Sequence, residues 1–225
     1  MSVRVLVVDD QELVRSGFRS LLESDPEVHV VGEAGDGVEA VEQAARLRPD
    51  VVLMDVRMPR RDGIEATGRL LGAVPDGVAP PRVLMLTTFD VEEYVVDALR
   101  AGASGFLLKD ATRDELLHAV HVVAAGDALL APSATRRLID RVVDQPLAAP
   151  GPEYEQLTER ERQVLALLAT GASNAEVAQQ LHLGEATVKT HVGHVLMKLG
   201  VRDRVQAVIY VYEHGLAAGS PERRN

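Results

Sequence analysis

The chain has no cysteine, which excludes disulfides and thiolate metal sites. That absence fits a reducing compartment. No apolar run approaches the roughly 20 residues that a membrane-spanning helix needs. Met1-Ser2-Val3-Arg4 leads straight into a short strand-like run, without the apolar stretch and small-residue cleavage site of a secretory leader. A cytoplasmic protein with no membrane partner is therefore expected. Proline and glycine show no excess, and there is no internal repeat or low-complexity segment. Positive charge is also scarce: 24 Lys and Arg face 34 Asp and Glu, for a formal net charge of −10. That balance argues at first against nucleic acid, but it is uneven. From Glu153 to Asn225 there are 9 acids and 8 Lys or Arg, and four of the seven histidines. DNA affinity depends on local basic groups rather than the whole-chain charge. The acidic total thus weakens a DNA reading only modestly.

What is present is length and alternation. With 225 residues the chain has room for two domains. Over residues 1–125, short Val- and Leu-rich runs alternate with helix-like segments. The predicted strands are Val3–Val8, Val28–Glu33, Val51–Met54, Arg82–Leu86 and Gly105–Leu108, as expected for strands buried on both faces. The predicted helix stripes are Leu13, Phe18, Leu21 and Leu22; Val38, Val41, Ala44, Ala45 and Leu47; Ile64 to Leu71; Tyr94, Val95, Ala98 and Leu99; and Leu116, Leu117, Val120 and Val123. Five strand–helix units in order imply a five-stranded, doubly wound parallel sheet. Gly32 to Gly37 superficially resembles a dinucleotide loop, but its glycines are mis-spaced and it follows the second strand. It reads as a plain loop.

Residues 126–153 read as a linker. Pro132, Pro146, Pro150 and Pro152 punctuate it, with one short helix expected from about Ser133 to Val143. Residues 154–219 read as a second domain, and from Leu157 the pattern is purely helical. Thr158 to Glu161 has the form of a capping box. Ser173 caps a second helix, and His182-Leu183-Gly184 turns into a third, with Val188, Val192, Val195 and Leu199 inward. A fourth runs from about Arg202 to His214. Two helices joined by a short glycine-containing turn inside a small four-helix unit match a helix-turn-helix.

The chemistry-bearing residues sit where strands stop. The first strand runs into Asp9-Asp10, the third into Asp55, the fourth into Thr87-Thr88 and the fifth into Lys109. In a parallel open sheet those ends share one edge, and ligands bind there. Three acids suit a hard divalent cation, and a lysine with a threonine suits a phosphoryl group. Taken alone, Asp9-Asp10 can also be read as a helix cap, and Lys109 reads equally as a solvated charge. Their coincidence at one edge favours a site.

On these residues, 1–125 resembles the receiver domain of two-component response regulators, a flavodoxin-like fold. Asp9, Asp10, Asp55, Thr87 and Lys109 match the five active-site positions of that family. The resemblance implies that Asp55 is the phosphoacceptor, and that a sensor histidine kinase is the donor. It implies Mg²⁺ held by Asp9, Asp10, Asp55 and the backbone carbonyl of Arg57, with Asp10 ligating directly and Asp9 mainly through water. Lys109 would pair with the phosphoryl oxygens. Thr87 would hydrogen-bond one of them and, with Phe106, act as the switch that repacks the fourth helix, fifth strand and fifth helix. The chain would promote its own phosphorylation and dephosphorylation without turning over an external substrate. It departs from the family at Asp110, where proline often follows the lysine, and at Phe106, which lacks a tyrosine hydroxyl. Arg57 and Phe89 stand two residues past Asp55 and Thr87, where side chains often set the lifetime of the phosphoryl group.

Residues 157–216 resemble the LuxR-type DNA-binding domain of NarL/FixJ regulators. The matching text is Leu157 to Glu161, Gly171 to Ala178, and Thr187 to Val192. The third helix is then expected in the major groove of double-stranded promoter DNA. Lys189, Thr190 and Gly193 lie on its outward face, with Glu185 near its start. Thr187, Ser173 and Asn174 lie at helix N-termini suited to phosphates. His194 and Lys198 reach toward the DNA backbone, and Gly193 replaces a basic residue that many relatives carry. A homodimer formed on phosphorylation or DNA binding is expected, with the fourth helix as a candidate contact. His191-x-x-His194 can also be read as a metal pair, but the sequence offers no further ligands beside it; His118 and His121 repeat the spacing. Two rival readings remain. A magnesium-dependent phosphatase would usually carry a second acid two residues past its nucleophile, where Arg57 stands. A DNA-binding protein whose receiver only dimerises would have no need of all five active-site residues.

Overall fold

The computed structural model describes residues 2–75, 77–88, 91–126 and 150–216, with backbone alone at 91–93, 95 and 96. The expected helix at Ser133 to Val143, and Phe89, lie outside the described residues. The chain divides into two compact units, Met1–Leu129 and Leu130–Asn225.

In the first unit, strands β1 (Val3–Val8), β2 (Val28–Ala34), β3 (Val51–Asp55), β4 (Arg82–Thr87) and β5 (Gly105–Leu108) alternate with helices α1 (Glu12–Leu22), α2 (Gly37–Leu47), α3 (Gly63–Gly72), α4 (Val91–Ala101) and α5 (Arg113–Ala124). All strand pairs are parallel, in the order β2-β1-β3-β4-β5. The five-stranded, doubly wound parallel sheet is therefore observed. Successive strand side chains point to opposite faces, and here both faces are covered. Val5, Val7, Leu53, Leu84 and Leu86 pack with Phe18 and Leu22 of α1 and Leu116, Val120 and Val123 of α5. Leu6, Val52, Met54, Val83 and Met85 are equally inaccessible.

Helix starts follow local chemistry. Asp36 and Asp62 accept from backbone amides at the heads of α2 and α3, and Thr112 with Glu115 forms a capping box on α5. The stretch from Gly32 to Gly37 is thus mostly the end of β2 and the start of α2, not a free loop. Leu13, expected in the core stripe of α1, is instead 88% exposed. It sits in the first turn of α1, on the face away from Phe18 and Leu22. In α2, Ala40 is buried and Ala45 is exposed, so the buried stripe is rotated from the expected one.

The second unit holds α6 (Pro152–Glu155), α7 (Glu159–Ala169), α8 (Asn174–Leu181), α9 (Glu185–Leu199) and α10 (Arg204–Glu213). The capping boxes of α7 at Thr158 and of α8 at Ser173 both form. His182 and Gly200 take left-handed conformations (φ 54° and 67°) that end α8 and α9. Val164, Leu168, Val177, Val188 and Val192 form one buried cluster; Leu165, Val195, Leu199 and Val211 belong to a second. Among the described residues, no helix is long and apolar enough to cross a membrane.

Candidate functional site

The strand order places a crevice at the C-terminal ends of β1 and β3. The chain leaves β1 to one side for β2, then returns to the other side for β3. Asp9 and Asp10 follow β1, Asp55 closes β3, Thr87 closes β4, and Lys109 follows β5. Asp9, Asp55 and Thr87 are 0, 5 and 8% exposed, whereas Asp10 faces solvent. A hollow of about 450 Å³ is lined by Asp10, Gln11, Asp55, Arg57, Thr87, Thr88, Tyr94 and Lys109. Asp9 lies just beneath it. The helix-cap alternative for the acidic pair fails, because Gln11 is the N-cap of α1. Asp9 Oδ1 instead accepts from the Gln11 amide at 2.9 Å.

Lys109 Nζ lies 2.6 Å from Asp9 Oδ2 and 3.0 Å from Asp55 Oδ2. A solvated lysine is thereby excluded. Burial pushes the Asp55 carboxyl above its ordinary range; Lys109 opposes this and Asp9 adds to it. Burial also works against the Lys109 ammonium, but the two carboxylates outweigh it and hold its pKa above the ordinary value. One ligand oxygen each from Asp9, Asp10 and Asp55 lies within 4.8 Å of the others. Three carboxylates against one ammonium leave an excess of negative charge, and every donor is a hard oxygen. That set fits Mg²⁺.

Gly63 was not singled out from the sequence. Its amide donates to the Val56 carbonyl at 2.9 Å, and a Cβ added to it would stand 2.0 Å from the Asp55 carbonyl oxygen. The backbone of α3 therefore packs directly against the residue that ends β3. Tyr94 was expected in the core of α4 but lies in the wall of the acidic hollow. Phe106 is half-buried and lines a different hollow, with Leu108, Asp110, Ala111, Glu115 and His118. Thr87 lines the acidic hollow and Phe106 does not, so the two residues of the expected switch line separate hollows.

In the helical unit, Thr187, Lys189, Thr190 and Gly193 are exposed along α9, while Val188, Val192, Val195 and Leu199 are buried. Thr190 Oγ1 donates back to the Ala186 carbonyl at 3.1 Å. Ser173 is spent on the cap of α8 and remains exposed. Asn174 Oδ1 accepts from Arg204 at 3.3 Å, and the residue is half-buried. Lys198 does not project toward the outer face. Its Nζ lies 2.6 Å from Glu161 Oε2, and its side chain is 25% exposed. His194 Nδ1 stands 3.8 Å from Glu161 Oε1. The fold also supplies the third ligand that His191 and His194 lacked in sequence: Glu161 and both rings each offer a ligand atom within 4.8 Å of one another. The carboxylate is already neutralised by Lys198 and bonded to the Thr158 cap, so the cluster reads as an ion pair that ties α9 to α7.

Glu161 gives a testable pH dependence. Burial opposes its ionisation, but Lys198 and the Thr158 cap outweigh this and hold its pKa down to about 2, against an ordinary 4.5. A carboxyl depressed in this way contributes its full stability above its ordinary value and loses it as pH falls toward the folded value. The helical unit should therefore lose on the order of 1–3 kcal/mol between about pH 5 and pH 2. Amide hydrogen exchange resolved for α7 and α9 in the full chain checks this. Lys198→Met should flatten the profile, and an unchanged profile would show that the pair contributes nothing.

Comparison with known proteins agrees with both halves. Residues 5–121 match the response regulator receiver domain family, and residues 155–211 match the bacterial regulatory proteins of the luxR family. The transcriptional regulatory protein YxjL of Bacillus subtilis is 40% identical over 215 residues, covering 95% of this chain and 97% of that protein. The response regulator protein VraR of Staphylococcus aureus is 40% identical over 216 residues, covering 96% and 99%. The crystal structure of the response regulator ChrA, from a heme-sensing two-component system, aligns with 39% identity over 96% of this chain and 98% of its own, with a TM-score of 0.50. The chain belongs to the response regulators that join a receiver domain to a LuxR-type DNA-binding domain and act as transcription regulators.

Proposed function

We propose that Asp55 accepts a phosphoryl group from a sensor histidine kinase and that this controls promoter binding through α9. The observation that carries the reading is the convergence of five residues from four strand ends on one hollow, with Lys109 bridging Asp9 and Asp55. Phosphoryl transfer needs a nucleophile, charge neutralisation and in-line positioning. A carboxylate oxygen of Asp55 forms the new P–O bond while the P–N bond of a phosphohistidine breaks. The imidazole leaves with that electron pair and takes up a proton. Asp9, Asp10, Asp55 and the Arg57 carbonyl would hold Mg²⁺, which supplies further neutralisation of the phosphoryl charge. Lys109 is the fixed ammonium for a phosphoryl oxygen, and Thr87 the hydroxyl donor for another. The aspartyl phosphate forms and hydrolyses within the receiver itself, with no second acid at position 57 to drive turnover of external esters.

A phosphoryl group adds roughly two negative charges to the pocket. Thr87 drawn toward it, with Phe106 responding on the neighbouring strand, would bias the α4-β5-α5 face between two packings. Homodimerisation on paired DNA half-sites is the expected consequence. The test is DNA affinity of the full chain with and without beryllofluoride, a phosphoryl mimic, on fragments captured from genomic DNA. Binding should tighten about ten-fold or more. Equal affinity would favour the reading in which the receiver serves dimerisation only.

At the DNA, Lys189, Thr190, Thr187 and the open backbone at Gly193 form the candidate reading face, with Ser173 and Asn174 at phosphates. Lys189→Ala should weaken binding by about 1–3 kcal/mol if the ammonium reads guanine, or lower the salt slope by about one if it holds a phosphate. Fluorescence anisotropy across a salt series separates the two. No change in either quantity would remove Lys189 from the interface. Lys198→Met should leave the salt slope unaltered, because that ammonium is committed to Glu161.

A further inference from the structure

Arg57 and Tyr94 meet at the mouth of the acidic hollow. Arg57 lies in the loop after β3, two residues beyond Asp55, and its side chain is exposed. Tyr94 stands near the start of α4. Arg57 Nη2 donates to the Tyr94 hydroxyl, and the guanidinium carbon lies 5.0 Å from the ring centroid, over its face. Both residues line the same hollow as Asp10, Asp55, Thr87 and Lys109. An exposed arginine beyond a strand would ordinarily be a mobile, solvated charge. Here an aromatic face and a phenol oxygen hold it in one place. One donor is used by the hydroxyl, and a guanidinium has five. Among the described residues no acceptor other than the Tyr94 hydroxyl takes them, which leaves them for a ligand in the hollow.

We propose that Tyr94 is a positioning residue that holds Arg57 over the mouth of the hollow, so that the guanidinium engages the phosphoryl oxygens on Asp55 and hinders the approach of water. The proposal rests on Asp55 being the phosphoacceptor. It adds a second fixed cation to Lys109, placed on the solvent side, where hydrolytic water must enter. A planar guanidinium suits the oxygens of a phosphoryl group. Its loss lets water reach phosphorus more freely, and the phosphoryl group is shed to inorganic phosphate sooner. The device also joins the β3 loop to α4.

The experiment labels the full chain with radioactive acetyl phosphate in the presence of Mg²⁺, removes the donor and follows loss of label. Tyr94→Leu should shorten the lifetime about three- to five-fold. Tyr94→Phe keeps the ring, guards against loss of folding, and should fall between Tyr94→Leu and the unaltered protein. Arg57→Ala should shorten it at least as much. The double variant Arg57→Ala/Tyr94→Leu should be no worse than Arg57→Ala alone, because Tyr94 acts through Arg57. A merely structural tyrosine would instead give multiplied effects in the double variant. That outcome, or an unchanged lifetime in Tyr94→Leu, overturns the proposal. Failure of the Asp55 assignment looks different: the unaltered protein would take no label, or Asp55→Asn would still take it.

Discussion

Asp55→Asn should abolish phosphoryl uptake while leaving the chain folded. The amide has the shape of the carboxylate but lacks a nucleophilic oxygen, so no P–O bond can form. The uptake rate from acetyl phosphate should fall by more than about 100-fold. Folding should survive for a separate reason. Asp55 is 5% exposed, and burial pushes its carboxyl upward, so the ionised form is not what secures β3. Lys109 keeps Asp9 at 2.6 Å after the change. Two measurements on the same sample decide the matter: radiolabel incorporation and the far-ultraviolet circular dichroism spectrum. Label retained at the level of the unaltered protein would move the acceptor to another residue. Asp10 would then be the first to test, being exposed in the same hollow.

The parts of this site that were legible in the sequence are those that the backbone period alone determines. β3 and β4 are buried on both faces, so Val51-Val52-Leu53-Met54 and Val83-Leu84-Met85-Leu86 read as unbroken apolar runs. A polar residue directly after such a run must stand at the sheet edge. Asp55, Thr87 and Lys109 were visible for that reason. In the helical unit the same held for Val188, Val192, Val195 and Leu199, whose spacing gives the inward face of α9 and, by difference, the outward one.

What was hidden depends on which partner lies across space. Tyr94 has the spacing of a core residue with Ala98 and Leu99, and only the position of the β3 loop shows that it faces Arg57. Leu13 fits the α1 stripe by period, yet it falls at 88% exposure. By sequence alone Lys198 is as free as Lys189. The difference is Glu161, 37 residues earlier, which the fold of α7 onto α9 brings to 2.6 Å. A buried carboxylate leaves its partner little choice, since an unpaired charge there costs several kcal/mol. The capping box at Thr158 hinted that Glu161 was structural but gave no sign of its second partner. In α10 the helical period picks out one apolar face through Val205, Val208, Ile209 and Tyr212, yet Ala207, Tyr210 and Val211 are also buried. Period alone underestimates burial when a helix is enclosed on more than one side.

Gly63→Ala should disable the acidic site without touching any of its polar side chains. The added Cβ would meet the Asp55 carbonyl oxygen at 2.0 Å and the Met54 side chain at 3.0 Å. Backbone cannot fold aside as a flexible side chain can, so either α3 moves off the sheet or the end of β3 is displaced. Overpacking of this kind costs about 1–3 kcal/mol, and more where the backbone must move. The displacement falls on the residue whose carboxylate must align for in-line attack, and small misplacements cost roughly 100-fold in rate. Uptake of label should therefore fall about 100-fold even where the variant remains folded. Gly68 supplies the control within the same helix. A Cβ there meets nothing within 4 Å, so Gly68→Ala should stabilise the receiver by about 0.5–1 kcal/mol and leave uptake unchanged. Urea titration and label uptake, run side by side on the two variants, distinguish helix propensity from the close approach. If Gly63→Ala behaved like Gly68→Ala, the contact between α3 and Asp55 would have no bearing on the chemistry. If both lost uptake, the loss would come from α3 as a whole and not from the carbonyl beneath residue 63.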